Sequence, residues 1–266
     1  MSTENTYTLI TGASSGIGKA IAWYCGSKKM NLILVSLPSE GLETVATEIS
    51  SKHNVLVHFF ETDLSLQNGP ELVFNWVKEN NFPINILVNN AGVAGTSEFE
   101  LSDWEYSDKR IMVNIRALVL LTRFFIPELK KHKKSHILNL GSLSAFFSIP
   151  YKAVYSASKA FVVSFSRALR YELKNSTIKV SVVCPNGVRT NAGTHARIDA
   201  HGIKGRITSI PVDNLARRSI ENMLRGKFLY VPLRINRLLL ILQKVIPTSL
   251  LQKILTREFK KEVKVS

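Results

Sequence analysis

The chain has 266 residues, 45% of them hydrophobic, 21% charged and 9% aromatic, enough to bury one large α/β core and unlike disordered or fibrous classes. Its net charge of +15 is uneven: from Arg225 onward ten basic residues stand against two acidic ones and carry +8 of the total, so no nucleic-acid-binding body is expected. No apolar run approaches the ~18–20 residues of a membrane span, and Met1 to Asn5 is polar with no signal-peptide core.

In chain order, Thr6 to Ile10 reads as a short β-strand running into Thr11-Gly12-Ala13-Ser14-Ser15-Gly16-Ile17-Gly18, then a helical pattern through Ile21, Ala22 and Tyr24. Strand, glycine-rich turn and helix together bring backbone N–H groups and a helix N-terminus up to a pyrophosphate. The spacing is GxxxGxG, which meets the same needs as other such cradles: a tight turn, close backbone approach and close helix packing. A plain turn uses the same glycines, so this stretch alone leaves both readings open.

Asn31 to Ser36 is a continuous apolar run, as expected of a strand buried on both faces. At its end, where such folds read the adenosine ribose, Ser36, Leu37, Pro38 and Ser39 stand in place of an Asp or Glu. The missing carboxylate leaves room for a 2′-phosphate and favours NADP over NAD, with Lys19 as the nearest cation. A helix through Leu42, Val45, Ala46 and Ile49 precedes a strand from Val55 to Phe60, which ends at Thr62-Asp63-Leu64. Asp63 either receives an adenine amino group or caps the next helix.

Leu72, Val73, Trp76 and Val77 mark that helix, and Ile84 to Val88 a strand that delivers Asn89-Asn90-Ala91-Gly92. Strands alternating with helices of this length predict a parallel sheet covered on both faces, with ligands at the carboxyl ends of its strands. A long helix is expected from about Trp104 to Leu129, with Asn114 interrupting its apolar face. A buried Asn must find partners, so Asn114 is either a structural bridge or part of a polar path into the site. The strand Ile137 to Leu140 leads to Gly141-Ser142-Leu143-Ser144, and a helix from about Val154 to Leu173 carries Tyr155 and Lys159. The strand Val180 to Cys184 then ends in Pro185-Asn186-Gly187-Val188-Arg189-Thr190.

On a helix, Tyr155 and Lys159 share a face with roughly 5–6 Å between their Cβ atoms. An ammonium there favours the phenolate of a tyrosine whose pKa starts near ~10, as a general acid or base working near neutral pH requires. A surface lysine on an amphipathic helix has the same spacing, so its company decides the meaning of the pair. Cys25 and Cys184 lie far apart in apolar contexts and read as free thiols of a reducing cytoplasm. The six histidines show no metal-ligand spacing, so no metal is expected.

TGASSGIG at 11–18, Asp63, NNAG at 89–92, Asn114, Ser142, YSASK at 155–159 and PNGVRT at 185–190 follow one another in a fixed order over roughly residues 6 to 232. In that order they resemble the short-chain dehydrogenase/reductase family. The resemblance implies a single doubly wound Rossmann-type α/β domain over 1–232, with a central parallel sheet flanked by helices. It implies hydride transfer between a nicotinamide and a carbonyl carbon, with Tyr155 as proton donor, Lys159 lowering the pKa of Tyr155 and holding the nicotinamide ribose, and Ser142 bonding the carbonyl oxygen. Asn114 would hold a water that resupplies protons through Lys159. The implied cofactor contacts are Gly12, Ser14, Ser15, Gly16, Ile17, Gly18, Ser36, Asp63, Leu64, Asn90, Ala91, Gly92, Tyr155, Lys159, Pro185, Gly187, Val188 and Thr190. One departure is Asn186, where the family has glycine; asparagine tolerates unusual backbone angles better than most residues.

Residues 191–216 are loop-rich, and Gly193, Gly202 and Gly205 suit a mobile substrate lid. His195, Arg197, His201, Lys204 and Arg206 make that lid basic, as an anionic ligand or simple solvation would require. Residues 233–266 form a basic amphipathic helical extension whose leucines and isoleucines alternate with arginines and lysines. Such a segment lies on an anionic membrane surface, walls a pocket for a long-chain lipid ketone, or packs on the domain or a neighbouring subunit. The expected protein is cytoplasmic, peripheral on the inner membrane surface, and a homo-oligomer, dimer or tetramer. It is read as an NADP(H)-preferring reductase, NAD(H) being the other cofactor, of a hydrophobic ketone such as a 3-ketosphinganine or 3-oxoacyl lipid. A hydroxysteroid dehydrogenase is the alternative, and a non-catalytic nucleotide sensor is the alternative of another class.

Overall fold

Aliphatic runs with almost no polar interruption make strands of Tyr7–Thr11 (β1), Asn31–Ser36 (β2), Ile84–Asn89 (β4), Ser135–Leu140 (β5) and Ile178–Val183 (β6). The computed structural model describes residues 6–263; Met1 to Asn5, Lys264 to Ser266 and the side chain of Arg197 fall outside the described residues. With Val57–Glu61 (β3) and Leu229–Tyr230 (β9), these strands build one parallel sheet in the order β3-β2-β1-β4-β5-β6-β9. Successive residues point to opposite faces, and both faces are covered. Ile10, Leu32 and Leu34 pack against the helices Gly16–Ser27 (α1), Leu42–His53 (α2) and Val212–Leu224 (α9), while Leu9, Ile33 and Val35 belong to the opposite core. That second core includes Val73 of Gly69–Glu79 (α3), Phe125 of Leu118–Leu129 (α5) and Leu169 of Ala153–Glu172 (α6). The chain crosses between faces after β3, so β1 and β4 lie side by side with their carboxyl ends open.

Three expectations change. The long helix from Trp104 to Leu129 is interrupted: Trp104–Ile111 (α4) passes into one turn of π-helix over Met112–Ala117 before α5 begins. Asn114 lies in that turn, where the extra residue swells the helix and re-aims its side chain. The loop-rich stretch is instead helical, with Ala192–Ala200 (α7) and Gly202–Thr208 (α8) ahead of a small two-stranded sheet, Val188–Arg189 (β7) with Ile210–Pro211 (β8). Asn191 and Thr194 close a reciprocal capping box at the start of α7. Finally, β3 starts at Val57, two residues later than the apolar run from Val55 suggests. The extension forms Arg234–Leu242 (α10) and Thr248–Val263 (α11).

Candidate active site

The glycine-rich turn is tied to the end of β4 by a short polar lattice. Thr11 Oγ1 accepts from the backbone N–H groups of Asn90 and Ala91 at 3.1 and 3.0 Å, and Asn90 Nδ2 donates to the Thr11 and Gly12 carbonyls at 2.8 and 3.1 Å. Gly12 takes a left-handed φ of +66°, and a Cβ on Gly18 would overlap the Gly12 carbonyl oxygen and Asn90 Nδ2. Gly18 therefore serves close packing. It does not face the cavity, whose volume is about 340 Å³. Of the expected contacts, Gly12, Ser14, Ser15, Gly16, Ile17, Ser36, Asp63, Leu64, Asn90, Ala91 and Gly92 line that cavity. A backbone cradle at the start of α1, opening into a cleft of this size and length, fits a dinucleotide.

Ser14 and Ser36 hydroxyls stand 2.6 Å apart at the ribose end. Asp63 Oδ1 accepts from Ser65 N and Ser65 Oγ at 2.8 and 2.7 Å. It holds its own turn while facing the cavity and does not cap the next helix, whose N-cap is Asn68, so the capping reading of Asp63 is corrected. Lys19 is not among the lining residues; besides Asp63, the charged groups there are Glu40 and Lys109. Glu40 lies one residue beyond the Ser36 to Ser39 stretch at the end of β2. Lys109 comes from α4, nearly seventy residues further on, and no local pattern points to it.

Around Tyr155, α6 packs on a 3₁₀ turn, Leu143–Phe146, that opens at Ser142. Ser142 Oγ accepts from Ser144 N at 3.2 Å and Ser144 Oγ at 2.8 Å, so its own proton is directed elsewhere. Lys159 is 6% exposed, with Nζ 2.8 Å from the Leu140 carbonyl and 5.9 Å from the centroid of the Tyr155 ring. Burial pushes its ammonium down to about 8. Asn114 accepts from Val93 N at 2.7 Å and donates to Val93 O and Ser158 Oγ, both at 3.1 Å. It is a bridge from the β4 loop to the helix of Tyr155. A Cβ on Gly92 would lie 3.2 Å from Asn114 Oδ1 and 3.3 Å from Lys159 Nζ, so Gly92 leaves room where the two groups converge. Tyr155 also borders a second, small cavity with Gly95, Tyr106, Arg110 and Tyr151.

The segment Pro185 to Thr190 closes the cleft from the other side. Pro185 O accepts from Leu143 N at 2.7 Å, Val188 is buried in β7, and a Cβ on Gly16 would meet Thr190 at 3.5 Å. Pro185, Gly187, Val188 and Thr190 do not line the cradle cavity itself. Neither Asn186 nor Gly187 takes a positive φ, so the backbone here does not require the family's glycine. The Asn186 side chain turns instead toward Asn236 of α10, with Nδ2 3.5 Å from its Oδ1. Asn236 is 1% exposed and also donates to Thr208 O and Pro232 O at 3.1 and 3.2 Å.

The lid's cations are mostly engaged within the protein. His201 pairs with Glu262 and Glu258 of α11, Lys204 with Glu258, and Arg206 with Asp199. Hydrogen bonding to Glu262 raises the His201 pKa against its burial. These three groups are spoken for, which removes most of the case for an anion held under the lid.

The family model described as short chain dehydrogenase matches residues 6–200. A very-long-chain 3-oxoacyl-CoA reductase of Vanderwaltozyma polyspora is 34% identical over 193 residues, 68% of this chain and 55% of that protein. The 17-beta-hydroxysteroid dehydrogenase type 3 of Homo sapiens is 34% identical over 189 residues, 69% of this chain and 59% of that protein. The chain thus spans little more than half the length of these curated relatives. A short-chain dehydrogenase from Sphingobium yanoikuyae, solved in complex with NADPH, superposes with a TM-score of 0.76 at 28% identity, covering 92% of this chain and 97% of that one.

Proposed function

The chain belongs to the short-chain dehydrogenase family, and on that premise we propose that it interconverts a hydrophobic ketone and its secondary alcohol, using NADP(H) ahead of NAD(H). The observation that carries this reading is the convergence on Tyr155: buried Lys159 on the same helix face, Ser142 at the mouth of the adjoining turn, and Asn114 locking α6 to the β4 loop. A bound nicotinamide supplies the hydride. The chain does the rest. Ser142 directs its free proton to the substrate oxygen, and Tyr155 delivers a proton to that oxygen as the carbonyl becomes an alcohol. The Lys159 ammonium steadies the phenolate left behind, and its lowered value near 8 suits proton exchange close to neutrality. Asn114 contributes by position: it holds Ser158, and with it the turn of α6 that carries Lys159.

Support for NADP(H) comes from the absence of a carboxylate at residues 36–39, the Ser14–Ser36 hydroxyl pair and Lys109 on the cavity wall. Glu40 pulls the other way. For the substrate, the relatives' activities support a 3-oxo lipid first and a hydroxysteroid second. NADPH and NADH oxidation measured against 3-oxoacyl, ketosphinganine and steroid ketones tests the reading. Turnover that vanishes in Tyr155→Phe supports it; cofactor binding with no turnover on any ketone supports a nucleotide sensor.

We also propose a peripheral site on the cytoplasmic side of an anionic membrane. Leu238 and Ile241 on α10, Val245 on the link that follows it, and Leu250 and Ile254 on α11 are exposed. Lys244, Lys253 and Arg257 lie among them, and Glu258 and Glu262, the last acidic residues of the chain, are engaged with the lid. No described helix is long and apolar enough to cross a membrane. Sedimentation with phosphatidylserine liposomes, lost in Ile241→Ser/Val245→Ser, supports the surface; no sedimentation of the unmodified protein sinks it. Exposed Trp104, Ile111 and Phe161 on α4 and α6 support self-association, which light scattering resolves into dimer or tetramer.

A further inference from the structure

Glu262 is the last acidic residue of the chain, and it is 4% exposed. A carboxylate buried this deeply needs several partners, and it has them on three separate segments. Oε2 accepts from Thr96 Oγ1 at 2.7 Å and pairs with Lys152 Nζ at 2.6 Å, while Oε1 stands 2.7 Å from His201 Nε2. Thr96 lies on the loop after β4, Lys152 is the residue at the start of α6, three positions before Tyr155, and His201 joins α7 to α8. Two of these segments, the β4 loop through Gly95, Ser97 and Phe99 and the approach to α6 through Tyr151 to Val154, line the small cavity beside Tyr155, and the third is the lid. Phe259, one turn earlier on α11, lies between the same partners: its ring is 5.5 Å from that of His201, and Lys152 Nζ is 4.9 Å from its centroid. Ser97 N donates to Tyr151 O at 2.9 Å, joining two of the segments directly behind the carboxylate.

We propose that Glu262 is a positioning residue for the reaction: it clamps the β4 loop, the start of α6 and the lid into one wall, so that α11 closes the substrate cleft and sets how bulky a ketone reaches Tyr155. The proposal deepens the reading of the site as ketone-reducing and rests on it. Glu262 touches no reacting atom; it acts by holding Lys152 at the head of the helix whose Tyr155 does. Among the described residues, Glu258, Lys204 and Lys261 also lie around the clamp. Glu258 pairs with both lysines and with His201 Nδ1, so His201 is held by α11 through both ring nitrogens. Three segments distant in sequence thus depend on one carboxylate. Losing its charge removes the carboxylate that faces the Lys152 ammonium, which is itself largely buried.

The test is Glu262→Gln, which keeps size and shape, with His201→Gln as a second variant and Glu262→Asp as the conservative one. Hydrogen–deuterium exchange of the unliganded full chain is read over residues 93–103 and 192–208. The clamp predicts exchange faster by about tenfold in both segments for Glu262→Gln, a smaller rise confined to 192–208 for His201→Gln, and partial restoration by Glu262→Asp. In turnover, KM for a bulky ketone rises while kcat stays within about twofold and the NADPH Kd is unchanged. Exchange like that of the unmodified protein in both segments overturns the proposal, as does an equal loss in every kinetic constant. If the unmodified protein reduces no ketone, the site reading fails, and the exchange result still decides the clamp.

Discussion

At the cofactor end, Asn90 reaches two backbone carbonyls and Thr11 accepts from two backbone N–H groups, all within one turn of a rigid sheet. At the substrate end, Glu262 reaches a lysine, a histidine and a threonine that are up to 166 positions away. One end is made of short neutral bonds between neighbouring loops, and the other of charges on chain segments that meet only after folding. Neutral backbone bonds hold their geometry across pH and salt. Ion pairs fail when either partner changes its proton or is screened. On the proposed function, a rigid cofactor bed beside an adjustable substrate wall would let one reaction serve different ketones.

Tyr155 lies at the seam, so replacing it gives the largest effect. Tyr155→Phe is expected to lower kcat by roughly 10²–10⁴-fold, the usual weight of a positioned proton donor, with NADPH affinity retained. Stopped-flow NADPH oxidation alongside a binding titration checks both; a loss shared equally by binding and turnover would move Tyr155 out of the donor role.

Glycine replacement separates the two ends next. Gly18→Ala drives a methyl into the Gly12 carbonyl and Asn90, and overpacking of this kind costs about 1–3 kcal/mol. Gly193→Ala in α7 meets nothing closer than Asn191 Oδ1 at 3.7 Å, and within a helix it is expected to stabilise by about 0.5–1 kcal/mol. Urea unfolding of the pair reads the difference. Similar losses in both would mean the lid is packed as tightly as the cradle.

Acid and base then act on different parts of the molecule, the amino end of β5 and the lid. His136 in β5 is 3% exposed, and burial with Lys134 and Lys179 nearby holds it down to about 4. Unfolding returns it toward ~6.5, so its contribution is complete above that value and is lost as the pH falls from ~6.5 toward 4. His201 is raised by Glu262, so its contribution is complete below ~6.5 and is lost as the pH rises through its folded value. Core stability measured by urea should therefore weaken on the acid side, and lid exchange should quicken on the alkaline side. Both trends moving the same way would mean that the two histidines do not act separately.

Much of the cofactor end was legible because its needs are local. Gly12, Gly18, Asn90 and Asp63 sit where backbone geometry in their own turns puts them, and the buried strands announce themselves as unbroken apolar runs. The π-turn at Asn114 was not, because its residues keep a helical pattern and only the count per turn changes. The helices of the lid were hidden by three glycines, although Asn191 and Thr194 spelled a capping box. Glu262 and Asn236 were beyond reach: their partners lie in other segments, and a basic tail looks the same whether it faces lipid or protein.

The smallest effect sharpens the choice of cofactor. Glu40 and Lys109 face the same cavity from opposite sides of the topology, one following β2 and the other on α4, and both are exposed. A 2′-phosphate feels each as a partly screened charge, worth about 0.2–1 kcal/mol, or roughly a 1.4-fold to fivefold change in Kd. Lys109→Gln should therefore weaken NADPH binding and Glu40→Gln strengthen it, with NADH changed less in both. The shifts should shrink as salt shortens the screening length below the ~10 Å of dilute buffer. Quenching titrations with NADPH and NADH at low and high salt read all four cases. Equal shifts for the two nucleotides would place these charges away from the 2′-position, leaving the Ser14–Ser36 pair to discriminate by space alone.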